Sequence, residues 1–129
     1  MVKLPTQSHR NMAIATTLGD DAVLLESFSY TEDFSRPYRL TAVVTAPKPA
    51  DLTIEDAIGK VASIRIQRKD KQTRYLGGIV ARISQDARVK EKPRYELTIV
   101  PKLWLLSRSA DCRVFQKMSV PDIIKKVFS

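Results

Sequence analysis

This sequence is poor in the residues that most often carry catalysis or bind metals. It contains one cysteine, Cys112, and one histidine, His9, among 129 residues. A single cysteine cannot form a disulfide within the chain, and there is no CxxC motif or Cys/His cluster to hold a zinc ion. Cys112 follows Asp111, whose carboxylate disfavours the thiolate form, so we expect no reactive thiol.

The patterns of nucleophilic and phosphate-binding enzymes are also missing. We interpret His9 as a solvent-exposed residue without a catalytic partner. Gly77-Gly78 falls inside a strand pattern, so no Walker-type or GxGxxG loop occurs. The acidic pairs Asp20-Asp21 and Glu32-Asp33 flank strands, where carboxylates usually serve as turn residues and caps. We predict no catalytic, cofactor-binding or metal-binding residue, and no enzymatic activity.

Long apolar runs are absent as well. No stretch approaches the roughly 18 apolar residues that suggest a membrane span. The N-terminal residues MVKLPTQSHRNMAIATTLG lack the apolar core of a secretory signal peptide. With 43% hydrophobic and 28% charged residues, the composition is that of a globular chain long enough for one domain.

Positive charge is in excess, and it is concentrated in the middle third. The net charge is +8, and residues 60–94 hold eleven Lys and Arg against three acidic residues. Clustered basic residues can bind the phosphates of nucleic acids by releasing counterions. They also keep strand edges and hairpin tips solvated, and we expect no exposed aromatic residues among them on which bases could stack. We favour solvated strands and keep nucleic-acid binding as the alternative.

The periodicity of the chain is mainly that of β-strands. Alternation of apolar and polar residues predicts strands over residues 22–32, 38–45, 61–67, 74–83 and 94–100. Charged tips are predicted at residues 68–73 and 85–93, and Gly77-Gly78 indicates a bulge or bend that curls the sheet. We predict a mainly β fold, an antiparallel and partly closed β-barrel with two short helices.

The first predicted helix covers residues 51–59. Thr53 can cap it, Asp56 is the capping-box partner, and Gly59 ends it. With Ile54 and Ile58 on one face, the helix is expected to be about two turns long.

The second predicted helix begins after Ser119, near the C-terminus. Ser119 can accept backbone N–H groups of the first turn, Pro121 suits that turn, and Asp122 favours the positive end of the helix dipole. Its apolar face is formed by Ile123, Ile124 and Val127. Upstream, we interpret Trp104 and its neighbours Leu103, Leu105 and Leu106 as an apolar strand end in the core, with a subunit contact as the alternative.

Five segments, taken in order, resemble motifs of the VgrG (valine-glycine repeat protein G) family. They are SFSYTEDFSRPYRLTAVVT, IEDAIGKVASIRI, RYLGGIV, RYELTIVPKLWLL and CRVFQKMSVPDIIKKV, and together they cover about residues 18–129. This family forms the trimeric spike of type VI secretion systems and is related to the baseplate hub of contractile-tailed phages. Gly77 stands where the family commonly has His, and Ala57-Ile58 replaces Leu-Leu, so no role of that His is carried over.

The resemblance implies a phage baseplate hub-like domain. Residues 1–17 would be an N-terminal arm, and residues 18–129 the N-terminal hub-like β-barrel domain of a longer spike protein. The implied function is structural: the hub joins the tail tube to the spike and helps deliver effectors into target cells.

The implied partners follow from that function. They are two further copies in a homotrimer of the full-length protein, the tail-tube protein, baseplate components, effectors and the target membrane that the spike punctures. Nucleic acid is disfavoured as a partner, and no cofactor or small-molecule substrate is expected. The spike would be assembled in the bacterial cytoplasm and secreted without a cleaved signal peptide.

Overall fold

The computed structural model describes residues 5–47, 53–70, 72–86, 93–110 and 112–129. Within them the chain forms the strands β1 (Met12–Thr16), β2 (Leu24–Thr31), β3 (Arg39–Thr45), β4 (Val61–Gln67), β5 (Thr73–Asp86) and β6 (Arg94–Val100). The helices are a first 3-10 helix (Ile54–Ala57), a second 3-10 helix (Lys102–Arg108) and α1 (Val120–Phe128). No helix of this described part is both long and apolar enough to cross a membrane.

The six described strands belong to one antiparallel sheet in the order β1-β4-β5-β6-β3-β2. The sheet is curled into a half-barrel, and its edge strands β1 and β2 contact each other. Strand twist and two β-bulges favour such curling. The prediction of a mainly β, antiparallel and partly closed barrel with two short helices is confirmed.

The core lies on one face of the sheet, where the period-two pattern places apolar residues. Leu40, Ala42 and Val44 of β3 are fully buried, and Leu97 and Ile99 of β6 pack beside them. In the antiparallel register, Leu40 lies opposite Ile99 and Ala42 opposite Leu97. Cross-strand pairs of this kind hold adjacent strands together through apolar contact. The predicted strands over residues 38–45 and 94–100 therefore have the expected inward faces.

The predicted bulge at Gly77-Gly78 is wrong in position. Both glycines are paired in regular register with β4, and the irregularity in β5 lies between Val80 and Arg82. The two glycines instead allow the neighbouring strands to approach the backbone of β5 closely. A Cβ atom on Gly78 would lie 2.2 Å from the carbonyl oxygen of Val100 in β6, a distance that no side chain tolerates.

The first helix is shorter than predicted and is capped differently. It is a 3-10 helix of four residues, and the Thr53 side chain makes no capping hydrogen bond. Ile54 is buried, but Ile58 is half exposed because the backbone is already extended there. Gly59 follows with φ +75°, but the helix has already ended at Ala57, so the prediction that Gly59 ends it is wrong. Residues 51 and 52 of the predicted helix lie outside the described residues.

The hairpin between β4 and β5 confirms the first charged tip. The N–H of Arg68 donates to the carbonyl of Gln72 at 2.8 Å, and the Asp70 carboxylate accepts the N–H of Gln72 at 3.1 Å. Most of the second predicted tip, residues 87–92, lies outside the described residues. Gln85 and Asp86, which begin that prediction, belong to β5.

The predicted N-terminal arm contains part of the sheet. β1 lies within residues 1–17 and pairs with β4, so that Ile14 faces Ile64 across the register. Its sequence MAIAT has one large buried side chain, Ile14, and that is too weak an alternation to predict a strand. Residues 12–16 therefore belong to the half-barrel, while the domain boundary after residue 17 stays a prediction.

Gln7, also within the predicted arm, joins the two edge strands. Its side chain is buried, with 4% of its surface exposed. The amide oxygen accepts the N–H groups of Ile14 in β1 and Leu25 in β2, each at 3.0 Å. The amide nitrogen donates to the carbonyls of Ile14 and Val23, at 3.2 and 2.9 Å. Gln7 thus takes the place of a strand residue between two edges that do not pair directly.

The C-terminal helix begins where the sequence predicts. Ser119 precedes α1, and its hydroxyl oxygen accepts the N–H of Asp122 at 3.4 Å while its O–H donates to the Asp122 carboxylate at 2.5 Å. Lys125 and Lys126 stand in the last turn, where positive charge favours the negative end of the helix dipole. The predicted cap of this helix is therefore confirmed.

Candidate assembly surface

The side chains with catalytic chemistry do not come together. His9 and Cys112 are exposed, on separate segments. Within the described ranges, no group of three or more His, Cys, Asp and Glu side chains is placed to hold a metal ion. The absence of catalytic, cofactor-binding and metal-binding residues stays a prediction from the sequence.

Asp21 has a structural role in the turn before β2. It adopts φ +54°, and its carboxylate accepts the hydroxyl of Thr6 at 2.6 Å and the N–H of Gln7 at 2.9 Å. The hydrogen bond from Thr6, followed by that from the Gln7 backbone, lowers the pKa of Asp21. This carboxylate therefore holds the segment that carries Gln7 against the barrel.

Two tyrosines secure the connection between β2 and β3. The Tyr38 hydroxyl donates to the carbonyl oxygen of Gly77, and the rings of Tyr30 and Tyr38 lie 5.5 Å apart between centroids. Burial raises the pKa of both hydroxyls, so they stay neutral at physiological pH. The connection carries Phe34, which is fully exposed, and Ser35, which adopts φ +61°.

The basic middle third is largely exposed, but it is not free of aromatic residues. Arg68, Lys69 and Arg74 are exposed around the β4–β5 hairpin tip. Tyr75 is 66% exposed, and it lies opposite Arg65 in the register of β4 and β5. The expectation that this segment exposes no aromatic residue is therefore wrong. The basic residues Lys71, Arg88, Lys90 and Lys92 lie outside the described part of the chain.

The leucines predicted to be core are exposed. Trp104 lies in the second 3-10 helix and not at a strand end, and it is half-buried, with the Arg108 guanidinium carbon 5.2 Å from its ring centroid. Leu103, Leu105 and Leu106 are 53%, 50% and 41% exposed. The strands fill the core without them, and a 3-10 helix sends successive side chains in three directions. The core interpretation of these leucines is wrong, and the subunit contact remains as the alternative.

Helix α1 exposes apolar residues in the same way. Ile123 is half-buried, whereas Ile124, Val127 and Phe128 are 50%, 41% and 62% exposed. Neither α1 nor the second 3-10 helix packs extensively on the strands. We call these exposed side chains the C-terminal apolar residues: Leu103, Leu105, Leu106, Ile124, Val127 and Phe128.

These side chains can bind another apolar surface. Fully burying one side chain of this kind is worth about 1.5–3 kcal/mol, so several together can support a stable contact between polypeptides. Basic residues accompany them in both helices, Arg108 in one and Lys125 and Lys126 in the other. The exposed side chains of these two helices are therefore suited to binding another polypeptide.

Comparison with known proteins places this region in a family. The profile of the phage tail baseplate hub (GPD) family matches residues 31–129, which include β3 to β6 and all the C-terminal apolar residues. The chain belongs to the phage tail baseplate hub family.

Individual hub family relatives are type VI secretion proteins. The chain is 36% identical over 122 residues to the type VI secretion system spike protein VgrG1b of Pseudomonas aeruginosa, a match over 95% of this chain. It is also 36% identical over 123 residues to VgrG1c of the same organism. This hub family chain spans 16% and 17% of the length of those two relatives. The VgrG resemblance read from the sequence is confirmed.

A solved structure has the same fold. It is that of the E. coli c3393 protein, described as a component of the type VI secretion system with structural similarity to the T4 bacteriophage tail proteins gp27 and gp5. The TM-score is 0.73 at 21% identity, over 89% of this chain and 31% of that one. The two proteins therefore share a fold, although only 21% of their aligned residues are identical.

Two residues of interest escaped the sequence analysis. Gln7 lies before residue 31, where the hub family match begins, and a single polar residue in a polar stretch gives no local signal of burial. Tyr75 alternates with Leu76 in the strand pattern, and the alternation alone does not tell which face meets solvent.

Proposed function

We propose that this chain is the N-terminal part of the hub at the base of a type VI secretion spike, and that it works through contacts between polypeptides and not through chemistry. In the full-length protein, three copies would form a ring that joins the tail tube to the spike. The ring would help deliver effectors into target cells. Its partners would be the tail-tube protein and baseplate components.

The observation that carries this proposal is the exposure of the C-terminal apolar residues within the segment that the hub family profile matches. A soluble monomer rarely leaves many large apolar side chains exposed unless a partner covers them, and here two consecutive helices each expose at least three. Relatives named as spike proteins, at 36% identity over 95% of the chain, support a hub and not an enzyme. One shorter match, over 64% of the chain, is the actin cross-linking toxin VgrG1 of Vibrio cholerae.

The proposed route of secretion follows from the similarity to type VI secretion system spike proteins. A spike protein would be assembled in the bacterial cytoplasm and leave the cell through the secretion system.

The proposal is tested in the full-length parent protein, in a bacterium that carries the secretion system. Leu105→Glu and Ile124→Glu place charges among the C-terminal apolar residues. We expect loss of trimeric spike and of spike release, measured by sedimentation of purified protein and by immunoblot of culture medium. Val61→Glu is the matched control, because Val61 is an apolar strand residue that is 60% exposed elsewhere. Normal trimer and normal release with both charged variants would contradict the proposal.

The second candidate function is nucleic-acid binding. Tyr75 is exposed and lies opposite Arg65 on the same face of the sheet, and an aromatic ring next to a basic residue is what base stacking and phosphate contacts require. Tyr75→Ala and Arg65→Ala would weaken such binding. Weaker binding of short single-stranded DNA by both variants would support a nucleic-acid-binding surface here, and an unchanged affinity would contradict it.

A further inference from the structure

The half-barrel has an open seam between its edge strands. Within the described sheet, β1 pairs with β4 alone and β2 with β3 alone. Gln7 fills the seam at one level, next to Ile14 and Leu25. Beyond Gln7 lies a cleft of about 430 Å³, whose lining includes Arg10, Met12 and Phe28.

Backbone polar groups on both sides face this seam. Both the N–H and the C=O of Ile14 bond to Gln7, and the C=O of Leu25 accepts from the Arg10 guanidinium at 3.2 Å. Because backbone groups alternate between the two sides of a strand, Met12 also presents its N–H and C=O to the seam. The groups of Ile14 and Leu25 are already bonded, so an added strand would pair at Met12 and at the residues of β2 that follow Leu25.

The open edge of β2 lacks the usual protection against an added strand. Natural edge strands carry Lys or Pro, or a bulge that turns them away. No Lys or Pro occurs between Ser27 and Thr31, and the bulge between Leu25 and Ser27 lies before this stretch. Five residues of β2 therefore remain an unprotected template for an added strand.

The side chains around the seam define what fits there. On the inner side, Met12 is 45% exposed and Phe28 is half-buried, so an incoming strand would find apolar contacts. On the outer side, Ser27, Ser29 and Thr31 are small and exposed. Basic residues flank them: Arg10, Arg39 opposite Thr31, and Arg65, which donates to the carbonyl of Arg10. Glu26 also lines the cleft, where it forms an ion pair with Arg94 at 2.5 Å.

We propose that this seam is a docking groove for an extended segment of another protein, which adds to β2 as a strand and presents apolar side chains inward and acidic side chains outward. Backbone pairing supplies affinity in this mode of recognition, and alternate side chains supply specificity. A second copy of the chain is disfavoured as the occupant, because the β2 strand that it would offer carries one acidic residue, Glu26, which is already paired with Arg94. The proposed hub function is not needed for this inference.

The test uses a synthetic fluorescent peptide of about nine residues in which glutamate and valine alternate. We expect saturable binding to the chain, with a dissociation constant of about 1–100 μM by fluorescence anisotropy. The salt concentration is held at about 150 mM to screen non-specific attraction. Bound peptide should slow amide hydrogen exchange at alternate residues of 27–31 and leave the amides of α1 unchanged.

Two control peptides distinguish backbone hydrogen bonding from electrostatic attraction. The same peptide with N-methyl groups on alternate amides keeps its charge but cannot pair, so it should not bind. A peptide of alternating lysine and valine can pair but meets a basic seam, so it should bind at least about tenfold more weakly.

Matched variants locate the site. Ser29→Glu should weaken binding of the acidic peptide, and Ser29→Lys should strengthen it, since Ser29 is exposed on the outer side of β2. Ser109→Glu adds the same charge at an exposed residue far along the chain and should change nothing. Far-UV circular dichroism verifies that each variant keeps its strand content.

Three results would overturn the proposal. One is no saturable binding of the acidic peptide, and another is equal binding of its N-methylated form. The third is self-association of the chain alone with protection of the β2 amides, because a second copy would then fill the seam.

Discussion

Replacing Gln7 by alanine removes the side chain that satisfies both edge strands. The N–H groups of Ile14 and Leu25 lose acceptors at 3.0 Å, and the carbonyls of Ile14 and Val23 lose donors. A buried polar group left unpaired costs about 1–3 kcal/mol, so the two N–H groups alone predict a loss of about 2–6 kcal/mol. Since a domain is stable by about 5–15 kcal/mol, the variant should be strongly destabilised.

The measurement is urea denaturation followed by far-UV circular dichroism. We expect a lower midpoint with an unchanged slope, because the same surface is exposed on unfolding. Gln67→Ala is the control, since Gln67 is exposed at the end of β4, and its effect should stay within about 0.5 kcal/mol. A loss below about 1 kcal/mol for Gln7→Ala would mean that water replaces the amide, and the reasoning would be refuted.

Gln7→Glu separates the accepting half of the amide from the donating half. A carboxylate can still accept both N–H groups, but it faces the carbonyls of Ile14 and Val23 without a proton to donate. Burial and those carbonyls should raise the pKa of the new carboxyl above its unfolded value. Stability from such a group is present below the unfolded pKa and lost as pH rises through the folded one. The deficit relative to the natural chain should therefore narrow as pH falls.

Four further results are expected. Gly78→Ala should lower the free energy of unfolding by about 1–3 kcal/mol or more, measured in urea, because its Cβ would collide with the carbonyl of Val100. Asp21→Asn should be less stable at neutral pH than the natural chain. The lowered pKa of Asp21, caused chiefly by Thr6, means that this stability is lost as pH falls through the folded value, so the two unfolding curves should converge in acid. Short DNA or RNA should bind weakly and without saturation at about 150 mM salt, and submicromolar stoichiometric binding would favour the nucleic-acid alternative. Sedimentation of residues 1–129 alone should find a monomer or weak oligomer, because much of the cohesion of the proposed trimer is expected to come from the spike that follows. A tight trimer of these residues at low micromolar concentration would contradict this expectation.

The sequence by itself determined β2 to β6, five of the six described strands, and the start of the last helix. Leu40, Ala42 and Val44 share one face of β3, and three of the four residues on the other face are polar. This alternation predicts which face of the strand meets the core in an antiparallel sheet with one buried side. Ser119 and Asp122 act within a single turn, so their capping contacts depend on neighbours in the chain alone.

Only the tertiary structure decided how the barrel closes and what it leaves exposed. The hydrogen bond between Gln7 and Leu25 spans 18 positions, and it exists because the curled sheet brings two edges close enough for one side chain to bridge them. Gly78 is required because β6 approaches it closely, which no local pattern reveals. Leu103 and Leu105 resemble core residues because they are large and apolar, but other residues fill the core and these two are exposed. Local periodicity reports the conformation of a segment, whereas burial of a single residue depends on which distant segment packs against it.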